Sequence, residues 1–332
     1  MATSECGHCD DMESVKQFLD ILIKRVKCIN PSPGEIPELA NIDIYGVSLP
    51  KNRAIGGDHM IYIDFSKRYD LDARIQKINE DWERDIEGFS EEEIATNPFI
   101  QKKEVEKNIL IEKIKRNKVK AGVLVADVKG HDESAAFIAG MLHQAFLTGA
   151  LYELTILGNI TTHLFEIINT RFYNSSGIDD FLTMLYGEIS EDGNFKFITA
   201  GHPKPVVFSN AFNRLVDIRP EFIANYPPIG VMPSADDIDI TQTRSNLGYK
   251  KNYRVQEINL MGNGDILVLY TDGLMDHSDS SGTMFFPKKL EAVLKKNKAL
   301  NSRQICRELK RELAAFAPEQ EDDITFIVIK KT

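Results

Sequence analysis

The periodicity of this chain changes in an order that few architectures accommodate. Short alternating apolar segments come first, at 42–49 and 61–65, and a charged helical stretch then fills 67–118. One apolar run follows at 121–127, then helical patterns at 134–150 and through Ile160, Leu164 and Ile168. Strand patterns resume at 181–189, 195–200, 206–209, 215–218, 254–258 and 266–270. Two helices and a closing strand at 324–329 end the chain. A doubly wound parallel sheet needs a helix after nearly every strand. Blocks of strands separated by blocks of helices predict the α+β class with antiparallel sheets instead.

At 332 residues the chain has room for about two domains or one large one. It can bury a core without disulfide or metal staples. The net charge of −10 argues against a general binder of nucleic acid or anionic membrane. Four cysteines make no disulfide framework. The polar N-terminus lacks the basic and apolar regions of a secretory signal. The apolar stretch 135–147 falls short of the about 18 residues that a membrane span needs. These readings place the protein in the cytoplasm.

Residues 1–39 form a first region: a polar tail, an amphipathic helix and a Pro-rich linker. Val15, Phe18, Leu19, Leu22, Ile23 and Val26 make one helical stripe over 12–27. Such a stripe docks on its own domain or serves as a homodimer contact or signal relay. Cys6-Gly7-His8-Cys9 has redox or metal-binding spacing, but a polar tail gives it no supporting context. Residues 40–332 form the second region, with the helical insertion at about 67–118. There Leu71, Ile75, Ile78, Trp82 and Ile86 mark one helix, and a more charged one runs from about Gln101 to Asn117.

Four carboxylates share one local context. Asp58 follows Gly56-Gly57, Asp127 ends an apolar strand, Asp272 follows another, and Asp322 immediately precedes the last strand. Each alone reads as a turn or a strand terminator. Together they can converge from rigid strand ends, and converging carboxylates repel unless positive charge lies between them. Oxygen-only ligands suit hard cations such as Mg²⁺ or Mn²⁺.

Six ordered motifs carry a resemblance. They are Ile-Gly-Gly-Asp at 55–58, Val-Ala-Asp-Val-Lys-Gly-His at 125–131, Ala-Gly-His-Pro at 200–203, Pro228-Ile229-Gly230, Tyr-Thr-Asp-Gly-Leu at 270–274 and Asp-Asp-Ile-Thr at 322–325. In this order they resemble the metal-dependent Ser/Thr protein phosphatases of the PPM family, in their bacterial SpoIIE/RsbU branch. The resemblance spans roughly residues 40–330. It implies an α-β-β-α sandwich of two antiparallel sheets flanked by helices. It also implies a centre of two ions, Mn²⁺ or Mg²⁺, that activates water to hydrolyse a phosphomonoester.

Carried over motif by motif, Asp127 is expected to bridge the ions and the Val128 carbonyl to complete one of them. Asp272 and Asp322 are expected to ligate the other, with Asp323 as the adjacent alternative to Asp322. Asp58 is expected to hold water at the remaining positions. His131 is a candidate general acid or a structural residue; His202 reads as structural. Lys129 is a candidate phosphate contact or simply an exposed lysine. Asp132 and Glu133, where the branch has Gly, read as caps of the following helix.

The implied substrate is a phosphoserine or phosphothreonine protein in signalling, such as a STAS-type anti-sigma-factor antagonist. Two other functions stay open: a catalytically silent interaction module of the same fold, and a metal-dependent hydrolase of a small phosphorylated molecule.

Overall fold

The computed structural model describes residues 35–51, 56–130, 132–175, 181–216, 218, 223–260 and 262–332. The 12–27 helix, Cys6, Cys9 and His131 lie outside them. In chain order the elements are β1 (Ile42–Leu49), β2 (His59–Asp64), α1 (Phe65–Arg68), α2 (Leu71–Asp85), α3 (Glu91–Thr96), α4 (Pro98–Arg116), β3 (Lys120–Val128), α5 (Glu133–Leu157) and α6 (Thr162–Ser175). There follow β4 (Leu182–Ser190), β5 (Asn194–Ala200), β6 (Val206–Ser209), β7 (Arg214–Val216), β8 (Gln256–Asn259), β9 (Ile266–Tyr270), α7 (Asp272–Met275), α8 (Lys288–Asn297), α9 (Ser302–Phe316) and β10 (Ile324–Lys331).

The strands form two antiparallel sheets, ordered β1-β10-β9-β6-β7 and β2-β3-β4-β5-β8. Strand alternation explains how each sheet is buried on both faces. Val123 and Val125 of β3 meet Leu267, Leu269, Ile327 and Ile329 in the core between the sheets. Their neighbours Leu124, Ala126 and Val128 turn outward under α5 and α6. On the other side Phe326 and Val328 turn outward under α8 and α9. The result is the α-β-β-α sandwich that the sequence implies.

The insertion holds more helix than the pattern shows. Ser90 and Glu93 form a capping box that starts the short α3. The next helix begins at Pro98 rather than near Gln101, because Asn97 caps it and proline fits its first position. Leu71 and Ile114 join the core beneath α5, so the insertion packs on its own domain. Trp82 is half-buried, with the Lys107 Nζ 4.9 Å from its ring centre.

The helix expected at 134–150 also runs further. Gly149 does not break it, and α5 continues to Leu157, where Gly158 turns left-handed at φ +73°. At 25 residues it is long and apolar enough to cross a membrane by length and composition. Ala135, Ala136, Ala139, Leu142, Phe146, Ala150 and Leu154 nevertheless face the protein core.

Candidate active site

Strand direction brings the acidic residues together. β3 and β9 end, and β2 and β10 begin, at the same end of the sandwich. Alternation then sets which way each residue faces. Asp58 shares its parity with Met60 and Tyr62, and Asp127 with Val123 and Val125, so both point into the gap between the sheets. Thr325 and Asp323 continue the inward row of Ile327 and Ile329.

Hydrogen bonds lock this end. Thr271 Oγ1 donates to Asp58 Oδ2 at 2.8 Å and accepts from Thr325 N at 2.9 Å. The Thr271 N–H donates to the Thr325 carbonyl at 2.9 Å. Asp323 is buried, and it accepts from Lys51 N and Gly57 N, each at 2.7 Å. Asp322 is its opposite: exposed, with Oδ1 accepting from Asp323 N at 2.8 Å. The two neighbours therefore divide the work, Asp323 tying backbone together and Asp322 facing the other carboxylates.

Those carboxylates oppose one another's ionisation. Burial, then the charges of Asp272 and Asp322, push the Asp127 carboxyl up to about 7. Burial and Asp322 also raise Asp272. Asp58 lies well above the usual carboxylate range because it is buried beside Asp127, although Thr325 and Thr271 pull it back. Among the described residues no Lys or Arg forms an ion pair with Asp58, Asp127, Asp272, Asp322 or Asp323.

The donor chemistry fits hard divalent cations. The cluster is acidic and oxygen-only, and among the described residues it has no compensating positive side chain. Gly57 leaves the Val128 carbonyl uncovered: a Cβ there would strike the carbonyl oxygens of Val128 and Gly130. Among the described residues no three His, Cys, Asp or Glu side chains enclose one point. An open shelf of this kind suits Mg²⁺ or Mn²⁺, which keep several waters and need few protein donors each.

The remaining sequence candidates fall into structural places. Asp132 caps α5 by accepting from Ala135 N at 3.1 Å. Lys129 is exposed, with its Nζ 5.4 Å from the Phe181 ring centre. His202 is buried, with Nδ1 2.8 Å from Thr183 Oγ1, and Thr183 is the cross-strand partner of Asp127. Burial lowers the His202 ring to about 3, so it is neutral. Ala-Gly-His-Pro and Pro-Ile-Gly pack together, with Gly201 lying against Pro228; Gly201 N donates to Tyr226 O, and Leu182 and Ile229 exchange backbone hydrogen bonds. Both motifs brace the start of β4 beside Asp127. The part played by Thr271 and Thr325 was readable only as two hydroxyls inside otherwise acidic motifs.

Residues 117–332 match the family model described as Stage II sporulation protein E (SpoIIE). The chain belongs to this family. Over 163 residues it is 28% identical to phosphoserine phosphatase RsbP of Bacillus subtilis (strain 168), covering 48% of this chain and 34% of that one. It thus spans about a third of that relative's length. The SiaA-PP2C domain of Pseudomonas aeruginosa has the same fold, with TM-score 0.58 and 13% identity over 97% of this chain and 99% of that one. So does the PP2C domain, with a regulatory fragment, of Bacillus subtilis SpoIIE, with TM-score 0.55 and 14% identity over 88% and 64%. The RsbU and RsbW domains of a Mycobacterium tuberculosis protein align with TM-score 0.55 and 17% identity over 89% and 61%. This SpoIIE-family chain therefore carries the PP2C/PPM phosphatase fold.

Proposed function

We propose that this SpoIIE-family protein is a metal-dependent phosphoserine/phosphothreonine protein phosphatase in bacterial signalling, acting in the cytoplasm. The observation that carries the reading is the row of carboxylates, Asp58, Asp127, Asp272 and Asp322, brought by four strand ends to one edge of the sandwich with no ion-pair partner among the described residues. The similarity to a phosphoserine phosphatase supports the reaction class.

Asp127, the Val128 carbonyl, Asp272 and Asp322 would hold two ions, Mn²⁺ or Mg²⁺, with Asp58 steadying their water. When bound, such ions lower the pKa of water and offset the charge of a phosphoryl group. The chain itself supplies orientation. Thr271 fixes the Asp58 carboxylate, and Asp323 fixes the Gly56-Gly57 turn against β10. His202 and Thr183 hold the strand beside Asp127. Lys129, Gly130 and Asp322 are exposed, so the shelf opens to solvent. An open shelf suits a phosphorylated loop of a folded protein better than a small molecule, which would need enclosure. A STAS-type anti-sigma-factor antagonist is the proposed substrate.

The test is hydrolysis of p-nitrophenyl phosphate and a phosphothreonine peptide with Mn²⁺, with Mg²⁺ and with EDTA. Asp127→Ala and Asp272→Ala are run beside the wild type. Turnover that needs metal and is lost in both variants is expected. Folded protein without turnover under any metal would overturn the reading in favour of an interaction module.

A further inference from the structure

A second concave site lies at the opposite end of the same sheet. It is a cavity of about 530 Å³ between the outer face of β3, β4 and β5, the last turn of α4 and the loop joining α5 to α6. Lys120 begins β3 at this cavity and Asp127 stands seven residues on, so roughly 23 Å separates it from the acidic shelf.

Its charge is opposite to that of the shelf. Lys113, Arg116 and Lys196 line it, and none of the three has an ion-pair partner among the described residues. The acids in its wall are already engaged. Glu188 pairs with Lys120 at 2.5 Å and accepts from the Tyr186 hydroxyl at 3.0 Å. Asp192 closes the β4–β5 turn by accepting from Ser190 Oγ and Asn194 N. Behind the wall, Glu153 accepts from Thr161 N and Oγ1. With Lys120 the lining carries four positive and two negative side chains, a net of +2, and Thr161 and Thr162 at the start of α6 reach the same space.

The floor of the cavity is apolar. The rings of Phe165 and Tyr186 stack at 5.3 Å, with Ile160 and Ile198 beside them. Asn117 Nδ2 donates to the Gly158 carbonyl at 2.8 Å and joins the end of α4 to the end of α5, so the walls are stitched together without a ligand. A space of this size, apolar at its base and cationic at its rim, matches a small organic anion rather than a macromolecular surface.

We infer that this cavity binds a phosphorylated small molecule of mononucleotide size, with its organic part over the cavity floor between the exposed side chains of Val119 and Val255 and its phosphate among Lys113, Arg116 and Lys196. Arg116 and Lys113 sit on the inserted helix and Lys196 on the sheet, so a bound phosphate would clamp the insertion to the sandwich.

The experiment uses the full chain stripped of metal with EDTA, which removes any cation that would draw phosphate to the shelf. AMP, GMP and inorganic pyrophosphate are titrated by calorimetry and followed by thermal unfolding. Binding of AMP or GMP, weakened about tenfold or more in Lys113→Glu and in Arg116→Glu, is expected from losing a charge-assisted contact. Both side chains are at least partly exposed, so unliganded unfolding should match the wild type. Absence of binding by all three probes, binding as tight in both variants as in the wild type, or binding of pyrophosphate as tight as that of the nucleotides would each overturn the assignment. None of these readouts depends on phosphatase turnover.

Discussion

Gly57 donates its backbone N–H to Asp323 Oδ2 at 2.7 Å, across 266 residues of sequence. This bond ties the turn before β2 in one sheet to the start of β10 in the other. It also explains why two adjacent aspartates have different exposures. Successive residues entering a strand point to opposite sides. Asp323 turns inward and meets backbone N–H groups; Asp322 stays on the exposed side, where its charge acts on Asp127 and Asp272.

Asp323→Ala should therefore be a stability variant and Asp322→Ala an activity variant. The first leaves Lys51 N and Gly57 N without their acceptor, at about 1–3 kcal/mol for each donor left buried and unpaired. The second removes an exposed charge that opposes its neighbours, so urea unfolding should be unchanged or slightly improved while metal-dependent turnover is lost. Equal loss of stability in the two variants would refute this division of roles.

Thr271 is fully buried and its hydroxyl serves both Asp58 and Thr325 N. Thr271→Val keeps the shape and removes the hydroxyl. It should cost about 1–3 kcal/mol in chemical denaturation, from the unpaired groups it leaves. Phosphatase turnover at saturating Mn²⁺ should fall with it. Thr271→Ser, which keeps the hydroxyl, should recover most of both. A valine variant as active as the wild type would remove Thr271 from the support of Asp58.

The sandwich was legible because its strands obey a period of two. Ile42–Leu49, Val206–Ser209 and Ile266–Tyr270 begin and end where the apolar pattern does. The site was legible because four aspartates sit at strand ends, where little else but a turn or a ligand belongs. Sequence spacing could not separate Asp322 from Asp323, since the inward direction depends on the register of β10 against β9. It also stopped α5 too early, at Ala150, just past a glycine that Leu164 packs against and that the helix tolerates. The cationic cavity was beyond reach: Lys113 and Lys196 lie on separate elements, and only the fold brings them to one space.

Removing metal should make stability depend on pH in a defined direction. The Asp127 carboxyl is raised to about 7 in the folded chain, against about 3.9 when unfolded. Between these values the folded state holds a proton that the unfolded chain has released. The contribution is full below about pH 4 and is lost as pH rises towards about 7. Three histidines slope the other way. Burial lowers His59 to about 3, His143 to about 4 and His202 to about 3, so their stabilising effect is lost as pH falls below about 6.5. The aspartate term is isolated by comparing wild type with Asp127→Asn in EDTA. The variant should melt higher at pH 7.5 and converge with the wild type near pH 4. Saturating Mn²⁺ should reverse the order at pH 7.5, because only the wild type gains a ligand.

The long segment between β7 and β8 should be released by breaking one buried ion pair. Lys250 Nζ lies 2.7 Å from Glu166 Oε2 of α6 and 3.5 Å from the Tyr253 ring centre, and its side chain is 2% exposed. Glu166 also accepts from Tyr253 N, and Asn169, one turn on, holds the Met232 carbonyl and Gly230 N. Lys250→Met leaves the Glu166 charge buried without its partner, which costs about 3–5 kcal/mol where such pairs are broken one-sidedly. Lys250→Met with Glu166→Gln removes the stranded charge, so the double variant should be more stable than Lys250→Met alone. Limited proteolysis should cut the single variant within 230–255 before the rest of the fold opens, because that segment contains little regular structure and depends on α6 for its contacts. Pro228-Ile229-Gly230, at the head of this segment, braces β4, so turnover should fall in step with cleavage. Additive losses in the double variant, or cleavage elsewhere first, would show that the pair does not anchor this segment.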